Sequence, residues 1–370
     1  MRPLVSFVIP CYKLADFLPE CVNSILSQTY TEFEILIMDD ASPDSTPEVA
    51  VAFTDPRVKH IRNDPNLGHL LNYNKGIELA KGDYIWLISA DDRLRVGDAL
   101  QRYIDMAEQN PTVGYVFCPA VGLVDGQEAE VEQWTSNGQR DFVMSGRRFL
   151  AKLVHENSVA APSGMVRREC YEKLGAFPLD LPYAGDWYLW CLFALHFDVA
   201  YIAEPLVNYR LHAVSMTNRL TQRRRVADDL AVCWRIQSMA SELGYRDIVE
   251  QCTHSLAHHY AYYLTADRYQ IDNYRMTMEE FEQSLQRFPQ CPEGELRLRA
   301  RVCSSLGDGC YRHGDWSDAR HYYRLALKHV SWMHKVRVKT LLLGMGKPGR
   351  FFRQVLAIGS SVASLKKADQ

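Results

Sequence analysis

The alternation of strand-like and helix-like segments over the first hundred residues is the strongest constraint on this fold. Leu4 to Ile9, Phe33 to Met38 and Val58 to Arg62 are short β-branched, apolar runs, and Asp83 to Ser89 is a fourth, bounded by Gly82 and the Asp91 and Asp92 pair. Between them, Phe17 to Gln28 sets Phe17, Cys21, Val22, Ile25 and Leu26 at helical spacing, and Leu70 to Ala80 forms a second helical segment. Short apolar runs suit buried strands, whereas apolar positions three and four apart suit one face of a helix. Strands joined by helical crossovers predict an α/β fold with a mostly parallel sheet covered on both faces, and ligands at the carboxyl ends of its strands.

Beyond that frame the pattern loosens. A helix is expected over Asp98 to Gln109, a strand over Gly114 to Cys118, an exposed hairpin or loop around Gly126 to Gly138, and a helix over Asp186 to Leu195. After about Thr217 the chain turns to long helical segments rich in Arg, Leu, Ala and Tyr. The expected division is a first domain over 1–217, a helical domain over 218–330 and a basic amphipathic segment over 331–370. Leu306 to Val330 resembles one helix-turn-helix unit of the tetratricopeptide type, with Gly314, Asp315 and Trp316 at its turn. No second unit follows at the required period, so it reads as a helical hairpin.

Charge narrows the choice of partners. With 42 Lys and Arg against 45 Asp and Glu, the chain has no global bias toward nucleic acid, and none is expected as a partner. Basic charge gathers late: Lys328 to Lys367 carries nine Lys and Arg and no Asp or Glu, interleaved with Trp332, Met333, Phe351 and Phe352. Such a segment suits either a solvated helix face or an anionic membrane surface, where each basic side chain contributes about 1 kcal/mol. The ten cysteines are scattered with no CxxC, as expected of thiols in a reducing cytoplasm. No apolar run approaches the roughly 18 residues that span a bilayer, and the N-terminal run reads as a strand rather than a leader. The expected location is cytoplasmic, soluble or peripheral on the inner face of the membrane.

The chemistry lies in a series of short motifs. Val8-Ile9-Pro10-Cys11-Tyr12-Lys13 ends the first strand, and Met38-Asp39-Asp40-Ala41-Ser42 ends the second with paired carboxylates at the mouth of the sheet, where a base and ribose can be hydrogen-bonded. Asn66-Leu67-Gly68, Asn74-Lys75-Gly76, Gly82-Asp83-Tyr84-Ile85 and Ser89-Ala90-Asp91-Asp92 follow. Pro162-Ser163-Gly164, Ala184-Gly185-Asp186-Trp187 and Asn208-Tyr209-Arg210-Leu211-His212 complete the order. Taken together, to about Thr217, these motifs resemble the family 2 glycosyltransferases of the GT-A fold.

The resemblance implies an inverting transferase that moves a sugar from a nucleoside-diphosphate donor, expected to be a UDP-sugar, to a hydroxyl of a glycan or lipid-linked acceptor. By it, Pro10, Tyr12 and Asp40 line the nucleoside pocket, Tyr12 stacking on the base and Asp40 accepting a base N–H. Lys75 is expected at the diphosphate, Asp91 at the ribose or metal, and Asp92 and His212 at Mn2+ or Mg2+. Hard oxygen ligands suit these cations, which neutralise charge on a departing diphosphate. Asp186 is the implied general base, taking the acceptor proton as that oxygen attacks the anomeric carbon. The paired aspartates also suit an N-cap ahead of Leu94, and Asp186 an N-cap for the helix from Trp187; capping and chemistry can coexist.

Three positions depart from the family pattern. Ala41 stands where many members have Gly, Ser89 where many have a first metal-motif Asp, and Tyr73 where an Arg often precedes the helix Asn. They imply a metal held by fewer protein oxygens and one diphosphate contact fewer. They also motivate a competing expectation, a sugar-nucleotide-binding scaffold or interaction protein with a weak or inert transferase domain.

Overall fold

Val5–Cys11 (β1) is buried at every position, as a strand covered on both faces must be. This computed structural model describes residues 2–212, 220–265, 274–287 and 292–330, with isolated positions between 333 and 340. The basic segment expected over 331–370 therefore lies almost wholly outside the described residues.

Phe33–Asp39 (β2) pairs in parallel with β1 on one side and with Val58–Arg62 (β3) on the other, while Tyr84–Leu87 (β4) pairs in parallel with the far edge of β1. The crossovers are the helices Leu18–Leu26 (α1), Thr46–Val51 (α2) and His69–Leu79 (α3). Leu18, Cys21, Val22 and Ile25 of α1 are buried, a stripe at spacings of three and four that meets the sheet. α3 lies directly on β1 and β2, because a Cβ added at Gly76 would strike Val8 and Met38. That contact sets the first turn of α3 beside the carboxyl ends of the strands.

The next elements are Arg93–Leu94 (β5), Ala99–Gln109 (α4), Val113–Phe117 (β6), Ala120–Val124 (β7), Gln127–Val131 (β8) and Phe142–Met144 (β9). Gly146–Leu153 (α5), Met165–Arg167 (β10), Arg168–Leu174 (α6), Gly185–His196 (α7), Asp198–Tyr201 (β11) and Val207–Arg210 (β12) follow. The main sheet has eight strands in the order β3-β2-β1-β4-β10-β6-β11-β9, with β10 antiparallel to both neighbours. A second sheet runs β5-β12-β7-β8, and its β7–β8 hairpin turns at Asp125 and Gly126, both with positive φ as a tight two-residue turn requires. The architecture is the α/β sheet flanked by helices that the sequence predicts.

Gln222–Glu242 (α8), Arg246–Thr265 (α9), Met278–Arg287 (α10), Pro292–Arg312 (α11) and Trp316–His329 (α12) make up the helical region. The chain forms two compact units, Met1–Gln251 and Cys252–Gln370. The first unit runs past the expected boundary at 217 because α8 is fastened to the segment before α7: Asp228, 1% exposed, accepts the backbone N–H of Tyr183 at 2.8 Å. In the second unit α11 and α12 pack together across the turn at Gly314, burying Cys310, Ala319, Tyr323 and Ala326. Among the described residues no helix is long and apolar enough to cross a membrane, and no described cysteine forms a disulfide.

Candidate active site

The carboxyl ends of β1, β2 and β4 open into a cleft of ≈ 360 Å³, lined by Pro10, Tyr12, Lys13, Asp40, His69, Tyr73, Ser89, Asp91, His212 and Leu220 among others. Five of the residues expected at the donor or metal meet there: Pro10, Tyr12, Asp40, Asp91 and His212. Lys75, Asp92 and Asp186 are not among the residues that line it.

Asp40 builds one wall. Its Oδ1 accepts the Leu67 N–H at 2.8 Å and the Asn63 side-chain amide at 2.9 Å, and its Oδ2 accepts the Gly68 N–H at 2.9 Å. Its carbonyl takes the Asn66 side-chain amide at 2.6 Å. A chain of amides backs this wall: Asn63 also donates to Asn72 at 2.8 Å, Asn72 donates to the Met38 carbonyl at 2.8 Å, and Lys75 Nζ donates to Asn63 Oδ1 at 2.7 Å. Lys75 thus braces the wall rather than facing the cleft. Asn63 and Asn72, each 2% exposed, carry that brace and were not singled out by sequence; such amides leave no periodic signal.

The neighbouring Asp39 points the other way. Burial raises its pKa, yet the Ser42 N–H, the Ser42 hydroxyl, Arg62 and His60 outweigh that and hold it below the usual carboxylate range. Ala41, between these carboxylates and Ser42, adopts φ of +55°, a left-handed backbone that glycine enters with less strain. The Gly-to-Ala departure therefore falls where it is felt.

On the opposite wall the Ser89–Asp92 turn separates its two acids. His212 Nε2 lies 2.8 Å from Asp91 Oδ2. Burial works to raise the pKa of Asp91, but hydrogen bonds from His212 and the Ser89 hydroxyl hold it below the usual range. Ser89 thus supports Asp91 in place of a third acid. Asp91 Oδ1 is buried and has no hydrogen-bond partner among the described residues. Asp92 turns inward instead: its Oδ1 accepts the Arg210 N–H at 2.9 Å, and burial next to the Asp91 charge pushes its pKa well up. Arg210 also donates to the Asp91 carbonyl at 2.7 Å and pairs with Glu20 of α1, which fixes the end of β12 two residues before His212.

These donors bear on a divalent cation. An orphaned, buried carboxylate oxygen beside the cleft suits a hard cation. Among the described residues no group of three or more His, Cys, Asp and Glu side chains could hold a metal ion. The donor among them that such an ion would use is the orphaned Asp91 oxygen.

Asp186 opens α7 with a half-buried carboxylate. Its Oδ1 accepts the Trp187 N–H at 2.7 Å and its Oδ2 the Asn157 amide at 3.3 Å. Burial raises its pKa to about 6, against those two hydrogen bonds. Tyr73 connects it to the cleft: burial first, then the charges of Asp91 and Asp186, push its phenol up. Asn157, in the loop after α5, joins Asn63 and Asn72 as a residue that sequence reading did not find. Lys13, which the sequence marked only as part of the first-strand motif, is exposed, with Nζ 5.3 Å from the Tyr12 ring centroid.

The chain is similar to known proteins in both sequence and fold. The family model described as Glycosyl transferase family 2 matches residues 6–175. An uncharacterised protein of Mycobacterium tuberculosis is 31% identical over 234 residues, covering 60% of this chain and 72% of that protein. An uncharacterised glycosyltransferase of Rickettsia typhi is 28% identical over 58% of this chain and 66% of its own length. Among solved structures, S. aureus TarS 1-349 in complex with UDP-GlcNAc superposes with a TM-score of 0.57 at 14% identity, covering 95% of this chain and 91% of that one. At that identity the likeness speaks for the fold.

Proposed function

The chain belongs to glycosyl transferase family 2, and from that membership we propose that it is an inverting transferase. In this reading a sugar passes from a nucleoside-diphosphate donor, UDP-linked, to a hydroxyl of a glycan or lipid-linked acceptor. The observation that carries it is the pairing of a donor-sized cleft at the strand ends with a carboxylate of raised pKa, Asp186, whose charge is felt by Tyr73 on the cleft lining.

Each residue's task follows from its surroundings. Tyr12, on the cleft lining, offers a ring face to the base, and Lys13 an exposed cation to the phosphates. Asp40 keeps capacity for one more donor on Oδ2, which among the described residues receives the Gly68 N–H alone. Asp91 and His212 would hold a divalent cation, Mn2+ or Mg2+, through the Asp91 oxygen that has no partner among the described residues, with Asp92 acting through Arg210 rather than as a ligand. When bound, such an ion neutralises charge on the leaving diphosphate.

Asp186 would take the acceptor hydroxyl proton as the oxygen bonds to the anomeric carbon and the bond to the diphosphate breaks on the opposite face, inverting configuration. A base with pKa near 6 is ionised at neutral pH and still basic enough to accept a proton. The UDP-GlcNAc bound by TarS supports a UDP donor on this fold. The basic run from Lys328 to Lys367 supports a peripheral seat on anionic lipid, testable by vesicle sedimentation with and without that segment.

The test is a thermal-shift screen of the chain against UDP, GDP, dTDP and CMP, each with manganese and with chelator, followed by turnover of Asp186→Asn. A metal-dependent shift with UDP, and loss of transfer with nucleotide binding intact in the variant, is the expected outcome. No shift with any nucleotide, or undiminished turnover, would overturn it.

A further inference from the structure

The segment leading into α7 is held from both sides. Toward the cleft, His69 Nε2 lies 3.1 Å from the Pro182 carbonyl, and the Asn74 amide exchanges hydrogen bonds with both backbone groups of Phe177 at 2.8 and 2.9 Å. Away from it, α8 supplies Asp228, whose Oδ2 accepts the N–H of Tyr183 at 2.8 Å and of Ala184 at 3.4 Å. Arg224, one turn earlier, donates to Asp228 Oδ1 at 2.9 Å and also to the Asp180 carbonyl, while Arg235 pairs with the Asp180 carboxylate. Ala184 is the N-cap residue of α7 and has no side chain that could cap it. Two residues later stands Asp186.

A buried carboxylate is a demanding way to fasten a loop, since it must be desolvated and then fully hydrogen-bonded. Simple packing of α8 on α7 would call for an apolar side chain at this point. The carboxylate instead captures two consecutive backbone N–H groups, which fixes both the direction of the chain and the rotation of the first turn.

We propose that Asp228 is a positioning residue for Asp186, fixing the backbone from which that carboxylate meets Asn157 and the acceptor side of the cleft. The proposal rests on the reading of Asp186 as the base. Asp228 touches neither cleft nor substrate; it acts through the head of α7. Among the described residues, the titratable groups that feel the Asp186 charge are the phenols of Tyr73 on α3 and Tyr183 on its own loop. Both are pushed above their ordinary values, so neither changes charge where Asp186 does. Arg224 is the charged group that faces Asp228.

The experiment is a carbon-13 NMR titration of the Asp186 carboxyl in the full chain, the signal assigned by its loss in Asp186→Asn. In the unsubstituted chain it should titrate near pH 6. In Asp228→Ala the freed first turn admits water, and the midpoint should fall by about one unit or more toward the ordinary carboxylate value. Asp228→Asn, which keeps one acceptor oxygen, should move it in the same direction by less, and it decides the matter if the Ala variant does not fold. UDP affinity should stay within about twofold in both, because the donor wall is untouched. An Asp186 midpoint that stays in place in the folded variants overturns the proposal. Turnover separates the two ideas: misplacement of the base should lower kcat by about 10- to 100-fold with donor KM unchanged. A fully active Asp186→Asn would remove the base reading while leaving the titration to judge the positioning.

Discussion

His212 and Asp91, 121 positions apart in sequence, meet at 2.8 Å and thereby decide which acid of the Ser89–Asp92 turn faces the cleft. Asp91 is drawn to the histidine and keeps one buried oxygen without a partner among the described residues. Asp92, the next residue, is spent on the Arg210 N–H.

The two aspartates should therefore respond differently to the same substitution. Asp91→Asn is expected to abolish the manganese-dependent part of the UDP thermal shift. Asp92→Asn replaces an acid whose pKa is already pushed well up and retains an acceptor for Arg210, so it should keep both fold and metal response. His212→Ala should weaken metal affinity by roughly 10- to 100-fold. Equal loss in the Asp91 and Asp92 variants would refute this assignment.

Asp186 carries a conflict between chemistry and stability. Its pKa is raised in the folded chain, so the folded state binds the proton more tightly than the unfolded one between the ordinary value of 3.8 and about 6. Stability attributable to this group is therefore fullest below pH 3.8 and declines as pH rises through about 6. Asp186→Asn should be more stable than the parent at pH 7.5 by up to about 3 kcal/mol, with the gap closing toward pH 4. Urea denaturation at the two pH values measures it. In turnover, the acid limb of kcat for the parent should fall near pH 6.

Removing the Asp40 carboxylate should undo the wall it organises. Asp40→Ala leaves the Leu67 and Gly68 N–H groups and the Asn63 amide without their acceptor. A loss of about 2 kcal/mol in stability and of the UDP thermal shift is expected. Retained UDP binding in a folded Asp40→Ala protein would contradict the role given to this side chain.

Ala41→Gly should act in the other direction. At φ of +55° the methyl group costs about 1–2 kcal/mol, and the greater freedom of glycine in the unfolded chain offsets about half of that. A gain of about 0.5–1 kcal/mol in a denaturant melt is expected, with UDP binding unchanged. A loss of stability would show that the Ala41 methyl makes a contact worth more than the strain.

The parallel half of the sheet was legible because its strands and helices carry two distinct apolar periods. Val58 to Arg62 is a strand at the expected residues, and α1 and α3 lie within one or two residues of expectation. The antiparallel insertions were not legible: β9 and β10 have three residues each, too short for any period, and exist through pairing with partners distant in the chain. The site divides similarly. Residues at strand ends, such as Pro10, Tyr12 and Asp40, could be placed from topology. Lys75 and Asp92 sit one turn or one residue from the cleft, and which neighbour faces inward depends on the Asn63 brace and on Arg210, neither of which declares itself locally. Asn157 acts through one side-chain hydrogen bond to Asp186 and Asp228 through two backbone N–H groups, both from segments with no motif, and Asp228 falls beyond the boundary that a change in composition suggested.

The loop from Asn66 to Gly68 is tied to Asp40 by the protein's own amides, and Gly68 holds φ of +83°. A wall anchored in this way has little freedom left to lose when a ligand arrives, so the entropy of ordering falls mainly on the adjoining rim, on the side chains of Tyr12 and exposed Lys13. Choice among bases would then be set at that rim, and drift in sequence there could retune donor preference without rebuilding the fold.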